Sequence, residues 1–399
     1  LLEQEERPGG LARSLTIDGQ VTDLGPHRIF TELPDVQDFL EDLVGENLEQ
    51  VKRSSKMWLR GNWIEYPPKP VEITQRLGLG TVAGAGFSYL GEKAGQMLSR
   101  EQAPESFESL MRSGFGPRLY ELLVAPYARK VWKMPPSELH ADIARVRVSA
   151  GGLDQMVKKV LFGEPKDRIT AVKKFYYIAG GVESLVRKLR DGVEQRGGKL
   201  RLVREVKSLK QFRTGHLQVV ATNCETGGQE THQAEHVVST IPLTDLLAML
   251  LEEKQSEKIA RSREELRYIS NFLVCCVVNK PRVTEHQWLY FPEKDTVFNR
   301  GYEPKNFHES MGTAGQSLLV LEITCHPGDD IDQLPDKALK NATMKGLERV
   351  GLVRREEITR MKVVRIPHTY PVYDLDYRER LSMIWKYLEN FPRLISAGR

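Results

Sequence analysis

The order of apolar and polar positions divides the chain into segments of two periods. Residues 34–48 carry Val36, Phe39, Leu40, Leu43 and Val44 at helical spacing, with Pro34 where a first-turn proline is tolerated. The period returns in Val182, Leu185, Val186, Leu189 and Val193, a helix opened by the run 175–181 and ended by Gly197-Gly198. It returns again in Leu339, Ala342, Leu347 and Val350 within 335–350, and 119–126 also reads as helical. The continuous apolar run 271–278 predicts a strand, 236–242 and the run ending at 398 read as buried strands, and further strands are expected at 199–203, 288–292 and 317–325. Residues 206–235 read as short antiparallel strands with a turn at Thr226-Gly227-Gly228, and 56–68 as a hairpin running into a proline stop. The Gly/Ala-rich run 78–86 fits a loop or a tightly packed helix contact equally well.

The chemistry starts at the first residues. Leu1-Leu2-Glu3 reads as the end of a buried strand finishing on an acid. A carboxylate at such a strand tip accepts hydrogen bonds from a ribose hydroxyl pair. Gly9-Gly10 then lets a backbone come close to a bulky group, because no Cβ intervenes.

Glu3, Arg7, Gly9, Gly10, Leu11, Ala12 and Arg13, followed by Asp23-Leu24-Gly25-Pro26-His27, resemble the FAD-dependent amine oxidase superfamily. They are similar to its branch of UDP-galactopyranose mutases and protoporphyrinogen-oxidase-like flavoproteins. The resemblance implies an α/β fold: a Rossmann-like FAD-binding domain of the glutathione-reductase-2 type, with an inserted helical and antiparallel-sheet α+β substrate region. It implies that Glu3 holds the adenosine ribose, that Gly9 and Gly10 run beside the pyrophosphate, and that Gly25, Pro26 and His27 lie at the flavin. It further implies that Val206 meets adenine through its backbone and that Gly398 and Arg399 belong to the last flavin motif. The phosphate-binding Gly-x-Gly-x-x-Gly precedes such an acid by about 20 residues. The sequence starts later than that and stops within the last motif, so it reads as a fragment.

On the substrate side, Tyr127-x-x-Lys130-x-Trp132 followed by Pro135-Pro136-Ser137-Glu138-Leu139 resembles the mutase branch. Tyr127 and Trp132 read first as core aromatics with a polar handle. Arg147 resembles a substrate-facing arginine, and Arg300 the arginine that grips a substrate diphosphate, with Glu303 keeping the spacing. A guanidinium suits that task because it binds phosphate bidentately and stays charged. Tyr370 and Tyr373, in the run Tyr370-Pro371-Val372-Tyr373, are candidates for the cleft wall or for its packing. The expected layout is a discontinuous FAD domain from 1–50, 170–245 and 385–399, a helical substrate region over 51–169 and a sheet-plus-helix region over 246–384.

Composition narrows the picture little. A net charge of +4 with interleaved signs does not call for nucleic acid, and is compatible with an anionic small-molecule substrate such as a sugar nucleotide. Cys224, Cys275, Cys276 and Cys325 lack metal-ligand spacing and read as buried reduced thiols of a cytoplasmic protein, with no metal expected. No stretch reaches the ~18 apolar residues of a membrane span. The resemblance implies FAD and an oxidoreductase passing a hydride from substrate to flavin, with His27 the nearest acid–base candidate because imidazole titrates near neutrality. The chain lacks both ends yet is about as long as a complete bacterial mutase, which favours the oxidase-like relatives. A mutase-like isomerase and a cofactor-free binding scaffold are the alternatives.

Overall fold

In a computed structural model the residues described are 1–31, 33–98, 105–147, 174–212, 215–250 and 257–398. The molecule is built on a seven-stranded sheet. Its order is Ile358–Pro371, Tyr268–Val278, Ser317–Cys325, Arg300–Tyr302, Trp288–Tyr290, Ser55–Leu59, Asn62–Glu65. Every neighbouring pair is antiparallel except Trp288–Tyr290 with Ser55–Leu59. Tyr268–Val278 and Ser317–Cys325, second and third in this order, are buried along their whole length because both faces of the sheet are covered there. Alternate residues divide between the faces, as the pleat requires. Phe272, Val274, Cys276, Leu319 and Leu321 pack with Leu339 and Leu347 of the helix Asp336–Arg349. Leu273, Cys275, Val277, Leu318 and Val320 pack with Ile17, Leu24, Phe175 and Tyr177 from the other half of the molecule. That second face positions the site.

The other half is assembled from distant pieces of chain. Leu2 bridges Arg201 in parallel, and Val237–Ser239 pairs in parallel with Leu394–Ser396. The antiparallel strands Arg204–Gln211, Leu217–Asn223 and Gln229–Ala234 form a layer beside them. Leu209 and Leu217 of this layer share a core with Leu243, Leu246 and Leu247 of one helix and Ile384 and Leu388 of another. The hairpin Ser14–Ile17 and Gln20–Asp23 and the pair Leu48–Lys52 with Lys174–Ile178 carry the chain to the large sheet.

Helices close one end. Ser106 caps Phe107–Leu119, its Oγ accepting from Ser109 N at 3.1 Å. Gly116 kinks that helix at φ +72°, where a Cβ would come within 3.0 Å of the Tyr89 backbone. The helix Leu79–Leu98 therefore crosses here at backbone contact.

Several elements differ from the sequence expectation. Cys224 is exposed, not buried like Cys275, Cys276 and Cys325, and the strands Val237–Ser239 and Leu394–Ser396, expected to be buried, leave Val238 and Ile395 exposed. The Gly/Ala-rich run belongs to the helix Leu79–Leu98. The aromatic run before Gly180 is the strand Lys174–Ile178, and the helix proper is Glu183–Gln195. Only a single bridge at Arg201 stands where a strand over 199–203 is expected. In the helix Pro34–Val44, Leu40 and Val44 are buried but Val36 and Phe39 are exposed, so helical period there overstates the packed face. No described helix is long and apolar enough to cross a membrane.

Candidate active site

The buried strand expected over Leu1-Leu2-Glu3 is reduced to the single parallel bridge at Leu2, with Leu1 exposed, and Glu3 sits at the tip of that bridge. Its N–H donates to Arg201 O at 3.0 Å, and its carbonyl accepts from Arg204 N at 2.8 Å. Its Oε1 accepts from Glu5 N at 3.0 Å. Gly9 and Gly10 follow at φ +120° and +53°, conformations L side chains resist. A Cβ on Gly9 would press on Val186 at 3.1 Å, whereas one on Gly10 would meet nothing within 4 Å. One glycine therefore seats the loop on the helix Glu183–Gln195, and the other leaves open backbone for a ligand. Ala12 N donates to Gly9 O at 2.8 Å, and the partly buried Leu11 packs beneath.

The two arginines of this loop are braces. Arg7 Nη1 donates to both oxygens of Glu183, at 2.9 and 3.2 Å, and Glu183 Oε2 also accepts from Ser14 N at 3.0 Å. Arg13 holds Gly10 O at 3.1 Å and Glu5 Oε2 at 3.1 Å. Val206 lies at a bulge in the strand Arg204–Gln211, opposite Ala221. A Cβ on Gly398 would stand 2.0 Å from Ile241 O, so the two parallel strands converge there with no room for a side chain. Arg399 lies outside the described residues.

Below the Gly25 turn lies a buried acid. Asp23 accepts from Ser14 Oγ at 2.6 Å, Val182 N at 3.0 Å and Tyr177 OH at 2.5 Å. Burial raises its pKa, against the lowering effect of these hydrogen bonds and of nearby His27. Gly25 N donates back to Asp23 O at 2.8 Å, with Gly25 at φ +100°. Pro26 and His27 follow, and Ile29 then exchanges two 2.9 Å backbone bonds with Tyr176. The Gly-Pro-His turn is thus pinned at both ends.

Across from it runs a row of side chains on the large sheet. Tyr290, Arg300 and Glu322 are direct cross-strand partners on three adjacent strands. A buried carboxylate is costly unless paired, and Arg300 supplies the pair. Its Nε and Nη2 reach Glu322 Oε2 at 2.8 and 2.6 Å. Burial pulls the Arg300 pKa down, but Glu322 outweighs it and holds the guanidinium well above its usual value. Arg300 Nη2 also donates to Tyr370 OH at 3.3 Å. Glu322 Oε1 is buried, has no hydrogen-bond partner among the described residues, and faces the Gly25 turn, 3.9 Å from where a Gly25 Cβ would stand. Tyr290 stacks near Tyr66 at 4.8 Å and Tyr127 at 5.6 Å between ring centroids. Burial, then Tyr290, pushes the Tyr66 phenol up to about 12, so it stays a hydrogen-bond donor at neutral pH.

The structure therefore brings Arg300, Tyr370 and the Gly25–Pro26–His27 turn together. Tyr373 instead stacks on Tyr377 at 4.4 Å. The Arg147 backbone ends the helix Asp142–Arg147, and its side chain lies outside the described residues. Glu303 is a staple elsewhere, accepting from Val283 N, Thr284 N and Ser317 Oγ. Sequence reading missed Glu322, Tyr66 and Tyr290. No motif marks them; they join the site through strand register, which the sequence does not print. Among the described residues no cluster of His, Cys, Asp or Glu could hold a metal ion.

The profile of the family described as flavin containing amine oxidoreductase matches residues 1–373. Among solved structures, a reduced UDP-galactopyranose mutase is similar at TM-score 0.81 and 20% identity, over 100% of this chain and 83% of its own. A proposed protoporphyrinogen oxidase from Exiguobacterium sp. 255-15 is similar at 0.74 and 17%, over 100% and 87%. A putrescine oxidase variant is similar at 0.61 and 15%, over 100% and 87%. At such identities the likeness establishes the fold: a Rossmann-like flavin domain joined to a substrate domain.

Proposed function

Since the chain belongs to the flavin-containing amine oxidoreductases, we propose that it is an FAD-dependent oxidoreductase whose small-molecule substrate carries an anionic group held by Arg300. The residues present fit FAD. Gly10 offers open backbone, Gly398 a close approach of two strands, and Glu3 an acid at the tip of a parallel bridge. Bound along them, FAD would supply the two-electron acceptor. The chain's own residues bind and orient. Arg300, kept charged by Glu322, holds an oxyanion, with Tyr370 as a neighbouring hydroxyl. Glu322 Oε1 accepts a hydrogen bond from an N–H or O–H of the substrate on the side toward the Gly25 turn. Tyr66, Tyr127 and Tyr290 displace water from the cleft wall. His27 is the candidate for proton transfer at the turn.

The observation that carries this reading is the Tyr290–Arg300–Glu322 row facing the Gly-Pro-His turn. The test is an absorbance scan of the purified full-length protein between about 350 and 480 nm, then anaerobic mixing with candidate anionic substrates. A yellow protein bleached by a substrate that becomes oxidised is the expected result. Full-length protein that stays colourless when FAD is added overturns the proposal and leaves a binding scaffold.

A second reading is a sugar-nucleotide isomerase. It is supported by the Arg300–Tyr370 grip and by the mutase likeness at TM-score 0.81. Conversion of UDP-galactofuranose under reducing conditions, without net oxidation, would establish it in place of the first.

A further inference from the structure

We propose that Arg28 and Arg53 complete, with Arg300, a subsite for a doubly charged oxyanion on the substrate. The inference rests on the reading of this cleft as the substrate site. Arg300 alone cannot favour a dianion, because Glu322 already balances its charge. Arg28 and Arg53 change that sum.

Arg28 directly follows the Gly25–Pro26–His27 turn. Its backbone is fixed by the neighbouring Ile29, bonded in both directions to Tyr176. Its guanidinium makes no hydrogen bond or ion pair among the described residues. Arg53 leaves the end of the strand Leu48–Lys52, on the other side of the strand that carries Tyr176. Its guanidinium lies 5.8 Å from the Trp288 ring centroid, and its Nε donates to Ser55 Oγ at 3.3 Å. Ser55 and Trp288 are themselves cross-strand partners, two residues along from the pair Met57 and Tyr290. Arg53 is thus held flat against the strand pair that carries Tyr290.

The three cations feel one another. Burial, then the charges of Arg53 and Arg300, draws the Arg28 pKa down, and Arg53 likewise acts on Tyr66. Arg28 feels Tyr290, Arg53 and Arg300, Arg53 also acts on Tyr66, and among the described residues Glu322 is the carboxylate paired with these guanidiniums, through Arg300. The set carries two positive charges in excess. Like charges gathered this way repel, and a bound dianion relieves the repulsion. Guanidinium forks take phosphoryl and carboxylate oxygens bidentately. The shared chemistry is therefore a dianionic head group, either phosphoryl or dicarboxylate.

The experiment uses FAD-saturated protein, so that the cofactor's own phosphate site is filled. Inorganic phosphate, malonate and acetate are titrated by calorimetry at pH 8 and low ionic strength. The dianions should bind at least about tenfold tighter than acetate, and Arg28→Gln and Arg53→Gln should each weaken dianion binding by about tenfold or more. The melting temperatures should stay unchanged. Tighter phosphate identifies a phosphoryl group, tighter malonate a dicarboxylate, and parity the shared charge alone. Unimpaired dianion binding in both variants, with loss only in Arg300→Gln, overturns the subsite and leaves the oxidoreductase reading standing. Failure of the wild type to favour dianions over acetate also overturns it. Protein that takes up no flavin overturns both.

Discussion

Val203 holds φ +57°, a left-handed conformation that its branched Cβ resists. It persists because both backbone groups are engaged: its N–H donates to Glu5 O and its carbonyl accepts from Cys224 N. The strain sits one residue before Arg204, whose N–H closes on the carbonyl of Glu3. Asparagine tolerates this conformation, so Val203→Asn should raise stability by about 1 kcal/mol. A higher urea midpoint at unchanged slope is the check. Asp23 makes a second residue-scale case, with pH as the probe. Burial lifts its pKa above the usual 3.8, so the folded protein binds a proton that the unfolded chain has released. Its contribution to stability is therefore full below about pH 3.8 and is lost as pH rises through the raised folded value. Asp23→Asn keeps the acceptor for Ser14 and Val182 and cannot ionise. Wild type should lose stability relative to this variant as pH climbs from 4, and parallel curves would refute it. Neither feature is marked in the sequence. Val203 lies between Arg201 and Arg204 in a stretch of mixed apolar and charged residues, and Asp23 becomes a buried acid only when Tyr177 and Val182 arrive from some 150 residues away.

At the scale of elements, the joint between the helices Asp142–Arg147 and Tyr377–Leu388 depends on one carboxylate. Asp142 accepts from Tyr377 OH, from Arg378 at 2.6 Å and from Arg145 at 2.8 Å. Burial works to raise its pKa, but hydrogen bonds from Tyr377, Arg145 and Arg378 outweigh it and hold it well below the usual range. Both arginines are largely exposed, so solvent screens their charge and the tie counts mainly as hydrogen bonds. Asp142→Ala should cost about 1.5–3 kcal/mol at neutral pH. Amide exchange should speed up in 377–388 while the strand Tyr268–Val278 stays protected. Equal acceleration in both would show that the joint is not local. Elements of strong period were readable: Ser317–Cys325 appears with its expected ends, and the helix near 335–350 is shortened by one residue at each end. Elements whose form depends on a neighbour were not. Helix Leu79–Leu98 is set by its crossing at Gly116, and the strand Lys174–Ile178 by pairing with Leu48–Lys52. The candidate site divides the same way. Glu3, Gly9, Gly10, Gly25 and Arg300 stand out by local motif, whereas Glu322 and Tyr290 meet Arg300 only through cross-strand register, and Tyr66, Arg28 and Arg53 reach it from connecting segments.

The whole molecule is two halves sharing one face of a sheet, and two glycines can separate their contributions. Gly398 lies where the parallel strands Val237–Ser239 and Leu394–Ser396 converge, and a Cβ there would stand 2.0 Å from Ile241 O. That obstacle is backbone, so Gly398→Ala must push the strand ends apart. Gly346 lies in the helix Asp336–Arg349, where a Cβ would stand 2.7 Å from Phe298 Cε1. That substitution must displace an aromatic ring from the core behind the large sheet. Trp58, Trp63 and Trp288 belong to this sheet, so their near-ultraviolet circular dichroism reports on its packing. If the flavin groove is formed by the parallel strands and the cleft by the sheet, the two lesions should read out in opposite ways. Gly398→Ala should weaken FAD retention by about tenfold or more with the tryptophan signal intact, a loss of roughly 1.4 kcal/mol in binding. Gly346→Ala should lower the melting temperature and blur the tryptophan signal by overpacking, at a cost of about 1–3 kcal/mol. Dialysis against FAD-free buffer followed by absorbance measures the first, and a thermal melt the second. A Gly398→Ala protein that keeps its flavin and loses its tryptophan signal would place the groove elsewhere, because the distortion would then have travelled into the sheet and spared the strand ends where it began.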